Sequence, residues 1–74
     1  MNRIPRQFNR IVAKQLQETS GGKSGDIWHV YRNLNGLLGL NTRTGKYFYM
    51  FASHLRMREF YEFVSVEKYR KVIE

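Results

Sequence analysis

The sequence predicts an α+β domain with an N-terminal amphipathic helix, a three-stranded antiparallel meander and a short C-terminal helix. Three observations predict it. Ile4, Phe8, Ile11, Val12 and Leu16 recur at helical spacing and make one apolar stripe. From Asp26 to Ala52 the chain is rich in β-branched and aromatic residues and is punctuated by two turn signals. Ser65 then precedes a second helical pattern, with Val66, Tyr69, Val72 and Ile73 as its apolar face.

Taken in order, the first helix is expected over 4–18. Pro5 suits its first turn, where a missing N–H costs nothing, and Thr19-Ser20-Gly21-Gly22 ends it. Arg3, Arg6, Arg10 and Lys14 would form a basic ladder on the face opposite the apolar stripe. Residues 19–25 read as a flexible linker. The sheet is expected over 26–52. Its first strand is Asp26 to Asn33, and Asn35-Gly36 is a strong hairpin signal. The second strand is Leu37 to Leu40, where Gly39 suggests a bulge. Thr42 to Gly45 turns the chain into a third strand, Lys46 to Ala52. Residues 53–74 form a mixed C-terminal region. Leu55 to Val64 fits a helix, with Met57, Phe60, Tyr61 and Val64 as a stripe, and equally fits a fourth strand. Its first residues are good helix formers, and Phe60-Tyr61-Glu62-Phe63 favours a strand.

The expected order α-β-β-β-α is similar to that of double-stranded-RNA-binding domains in topology alone. Ser53-His54-Leu55-Arg56 stands where those domains carry a basic cluster. Gly45 to Phe51 likewise resembles the aromatic strand of RNA-recognition motifs, without their glycine pattern.

Seventy-four residues make one domain with a thin core. There is no cysteine, so disulfides are excluded, which suits a reducing cytosol. No run is long and apolar enough to span a membrane, and MNRIPRQFNR lacks the apolar centre of a secretory signal. These features predict a cytoplasmic chain.

The chain carries 13 Lys and Arg against 6 Asp and Glu, a formal net charge of +7. Such a balance attracts nucleic acid or acidic protein surfaces. Catalysis is not expected. Gly22-Lys23-Ser24 resembles the end of a phosphate-binding loop, but Gln17 stands where that motif needs glycine. It would also follow a helix and not a strand. Glu59, Glu62 and Glu67 lie beside Arg58, Lys68 and Arg70 as solvated pairs, and no nucleophile has a base nearby in sequence. With His29 and His54 as the only imidazoles, a zinc site is not expected, and no cofactor is implied.

The informative pattern is basic residues among aromatic ones. Trp28, Val30, Phe48 and Met50 are the expected core face of the meander. His29, Tyr31, Tyr47 and Tyr49 then share the other face, with Arg43 and Lys46 at its edge. Bases stack on such rings while Lys and Arg hold phosphates. The expectation is a nucleic-acid-binding protein of the kind phages or mobile elements encode. Arg3, Arg6, Arg10 and Lys14 would contact phosphates, helped by Lys23, Arg32, Arg43 and Lys46, with Tyr31, Tyr47 and Tyr49 as stacking residues. The Thr42–Lys46 hairpin tip would enter a groove. The alternative is a non-enzymatic inhibitor or adaptor that docks on an acidic protein surface, and a homodimer is compatible with either.

Overall fold

The computed structural model describes residues 2–68. It shows a five-stranded antiparallel sheet and a single turn of helix. The strands are β1 (Phe8–Gln15), β2 (Ile27–Asn33), β3 (Gly36–Asn41), β4 (Lys46–Met50) and β5 (Tyr61–Lys68), with α1 (Ala52–Leu55) between the last two. The spatial order is β4-β3-β2-β1-β5. Four strands form a meander, and the fifth returns to lie beside the first in the manner of a Greek key.

The expected helix over 4–18 is not there. Residues 8–15 are β1, hydrogen-bonded to β2 on one side and β5 on the other. The physical reason is a β-bulge. Phe8 pairs with Lys68 and Arg10 with Glu67, so Asn9 is an extra residue in β1. The bulge returns Phe8 to the side of Ile11 and Ala13, where all three are buried. An apolar spacing of three, read as a helical turn, is here a strand with one residue inserted. The adjacent β-branched pair Ile11-Val12 suits the strand.

The meander stands where the sequence placed it, with small changes. Leu34-Asn35 forms the two-residue loop, and Gly36 already pairs with Asn33. Gly36 carries the left-handed backbone, at φ +125°, that the loop needs. Gly39 is not a bulge. It pairs in regular register with Val30 and Phe48, and Trp28 and Met50 fill the space a side chain would take. Ala52 belongs to α1 and not to the third expected strand. Of the expected C-terminal helix, residues 65–68 are strand, and 69–73 lie outside the described residues. The resemblance to double-stranded-RNA-binding domains therefore falls with the two helices that carried it. Leu55 to Val64 resolves into both templates in succession: the end of a helical turn, then a strand from Tyr61.

The two edge strands, β4 and β5, are consecutive in sequence, so the segment joining them must cross the sheet. It carries Ala52, Leu55 and Phe60 over one face, where Leu55 is fully buried with Ile11, Trp28, Val30, Leu37 and Tyr61. The N-terminal segment packs alongside. Asn2 donates its N–H to the Arg56 carbonyl (2.9 Å) and its Nδ2 to the Tyr61 carbonyl (2.7 Å). Gln17 Nε2 donates to the Glu59 carbonyl (2.9 Å), and the Leu16 N–H to that of Phe60 (2.7 Å). The other sheet face has no described element across it.

Residues 19–25 are not a loose linker. Thr19 and Gly22 form a bridge, and the Gly25 N–H donates to the Gln15 carbonyl (2.7 Å). The turn closes on a buried polar cluster. Trp28 Nε1 donates to Gln15 Oε1 (2.8 Å), and Asn41 Nδ2 donates to Asp26 Oδ2 (2.8 Å). Gly22 lies directly over this cluster. A Cβ there would sit 2.5 Å from Gln15 Oε1 and 2.9 Å from Asp26 Oδ2.

Candidate nucleic-acid interface

Strand alternation sorts the sequence-predicted residues. The register aligns His29 with Leu40 and Tyr47, and Tyr31 with Leu38 and Tyr49. His29, Tyr31, Tyr47 and Tyr49 therefore share one face, as the sequence indicates, and it is the uncovered one. Tyr47 and Tyr49 are 59% and 66% exposed. Val12, Ile27, Leu38 and Leu40 lie half-buried between them.

The basic residues are not where the sequence placed them. Without a helix there is no four-residue ladder. Arg10 and Lys14 alternate onto the open face with Val12, and both meet acids there. Arg10 is ion-paired with Glu67, and Lys14 stands opposite Glu62 in register. That face is nearly neutral. Lys46 pairs with Asn41 and so lies on the covered face with Phe48, not beside the tyrosines. Arg43 is committed to Asp26, its Nε 2.7 Å from Oδ1 and its Nη2 3.1 Å from Oδ2. The hairpin tip is thus tied back to the domain. Asn41 Oδ1 accepts from the Arg43 N–H (2.9 Å) and tightens it further. The Arg43 hydrogen bonds hold the Asp26 carboxyl far below the usual carboxylate range, helped by the Lys23 N–H and by Asn41.

Arg3, Arg6 and Arg32 come together elsewhere, with two residues that sequence spacing does not single out. The Asn2–Arg56 hydrogen bond brings Arg3 beside Arg56. Arg32 donates Nη2 to the Pro5 carbonyl (3.2 Å), next to Arg6, and its guanidinium lies 5.3 Å from the Phe8 ring centre. Arg56 and Arg58 line one shallow hollow with Glu59. Asn2 and Pro5 are three residues apart, at most about 10 Å of chain, so the segments that carry these arginines lie close together. All five arginines are exposed, and Glu59 lines the hollow with Arg56 and Arg58. Arg56 and Arg58 were legible as charges, but their partnership needed the contact between the N-terminal segment and the crossing segment.

Lys23 lies in the turn over the polar cluster. It lines a hollow of about 240 Å³ with Arg43, Lys46 and Glu18. That hollow continues through Thr19, Ser20, Gly21 and Phe48 into a second cavity of about 320 Å³, lined by Trp28, Phe51, His54 and Phe60. Among the described residues no three His, Cys, Asp or Glu side chains cluster to hold a metal ion. No helix among them is long and apolar enough to cross a membrane. No family model, curated protein or solved structure matches this chain.

Proposed function

We propose that this protein binds nucleic acid, with phosphates held by Arg3, Arg6, Arg32, Arg56 and Arg58. The observation that carries this reading is the contact of the N-terminal segment with Arg32 and with Arg56, which gathers the segments bearing five exposed arginines. Arginine's planar fork suits phosphate oxygens, and grouped cations release counterions when a polyanion binds. This replaces the helix ladder and the hairpin tip as the phosphate-contacting elements.

The test is fluorescence anisotropy with labelled duplex DNA, single-stranded DNA and RNA across about 50–300 mM salt. Exchanging Arg3, Arg6, Arg56 and Arg58 for Gln is expected to weaken duplex binding and to reduce the salt slope by about 0.9 for each phosphate no longer neutralised. Unchanged affinity and slope would sink this reading.

A second reading rests on the open face. Its charges are balanced, and it exposes tyrosines among half-buried Val12, Ile27, Leu38 and Leu40. Tyrosines over apolar surface suit a protein partner better than a phosphate backbone does. The chain would then be a non-enzymatic adaptor or inhibitor. A partner recovered by pull-down that persists after nuclease treatment favours this reading.

A further inference from the structure

The groove formed by the two adjoining cavities opens on the covered side of the sheet, and none of the five arginines lines it. One end is aromatic, and the other gathers Lys23, Lys46 and Arg43 with Glu18 at its rim. Phe48 and Phe51 offer ring surface at 39% and 72% exposure. They are braced from behind. Phe48 lies 5.8 Å from Trp28, centre to centre, and Phe51 meets His54 edge-on at 5.6 Å. At the other end Arg43 is already committed to Asp26, which leaves Lys23 and Lys46 for an incoming anion. Thr19 and Ser20 edge both cavities with hydroxyl groups. Thr19 Oγ1 accepts from Gln15 Nε2 (3.0 Å), so its own proton points elsewhere.

A ligand that fits must join a flat ring to an anionic group a short distance away. The aromatic cavity is at the small end for ligand sites, room for one ring system and not for a folded segment. We propose that the groove takes one unpaired nucleotide of a single-stranded nucleic acid, with its base against Phe48 and Phe51 and its phosphate between Lys23 and Lys46. This rests on the nucleic-acid reading above and adds to it a preference for single strands. A base inside a duplex cannot reach such a cavity, whereas a free one loses little by entering it.

Trp28 is the chain's one tryptophan and lines the cavity, so it reports on the site. The full chain is titrated with a short oligothymidylate and with a duplex of equal length, following Trp28 emission and anisotropy together. The expected result is an emission change with the single strand that the duplex does not produce. Phe48→Ala with Phe51→Ala should weaken single-strand binding about tenfold and leave duplex binding unchanged, which also shows that the variant is folded. Lys23→Gln with Lys46→Gln should lower the single-strand salt slope by about 0.7 per lysine. If the Phe variant binds oligothymidylate as tightly as the parent, or Trp28 emission does not respond, the groove proposal is overturned while duplex binding keeps the arginine reading intact. Absence of binding to either nucleic acid near physiological salt overturns both.

Discussion

Four donors converge on the Asp26 carboxylate: the Lys23 N–H, Asn41 Nδ2, and Nε and Nη2 of Arg43. Each prefers it ionised, so its pKa in the folded chain is lowered. The stability this supplies is complete above the unfolded value, about 3.9, and drains away as pH falls below it toward the folded value. Asp26→Asn should therefore lower the melting temperature near neutrality. The gap between parent and variant should begin to narrow below about pH 4 and go on narrowing as pH falls further, read from thermal melts down the acid range. A gap that stays constant with pH would rule out the carboxylate as its origin. Leu55 is the opposite kind of residue, apolar and fully buried beneath the crossing segment. Leu55→Ala should cost about 2–5 kcal/mol, enough to unfold most of so small a domain. Leu34, fully exposed in its loop, is the control. Leu34→Ser should move urea unfolding by less than about 0.5 kcal/mol.

At the scale of elements, β1 shows how a strand can be misread. Alternation would have announced it, but Asn9 breaks the alternation and the remaining pattern imitates a helix. Deleting Asn9 should restore perfect alternation and leave Phe8 two positions from Ile11, still on the buried side, so urea denaturation should show little loss of stability. Phe8→Ala should instead cost about 3 kcal/mol by the same measurement, the loss of one large buried side chain. The meander was legible because local signals decide it. Asn33 to Gly36 and Thr42 to Gly45 are turns by their own chemistry, and Trp28, Val30 and Leu37 alternate inward without interruption. The strand at Tyr61–Lys68 was not legible. Its residues serve a helix or a strand equally well, and only pairing with β1, far away in sequence, decides between them. Much the same holds for the candidate site. The shared face of His29, Tyr31, Tyr47 and Tyr49 follows from local alternation. The grouping of Arg3 with Arg56 depends on a contact between chain segments that no spacing rule anticipates.

For the molecule as a whole, net charge is a poor guide to where the charge lies. The same +7 could have been spread evenly. Instead the open face sets Glu67 and Glu62 against Arg10 and Lys14, while among the described residues Arg32 and Lys46 fall on the other face of the sheet. The two surfaces are thus separated by the thickness of the sheet, and binding at one leaves the other free. Adding duplex DNA should therefore shift the amide resonances of residues 3–6 and 56–58 and leave those of Tyr47 and Tyr49 in place. Shifts centred on the tyrosines would reverse the assignment of the two faces.

β1 lies between β2 and β5, and Asn2 bonds to the Leu55 and Tyr61 carbonyls, so of the five strands the earliest to be translated is held by the latest. During translation β1 can gain β2 early, but its other edge stays bare until residues 61–68 emerge. Folding by this architecture waits for β5, and a product that stops short of it presents an open strand edge beside Ile11 and Ala13, ready to pair with its neighbours and aggregate.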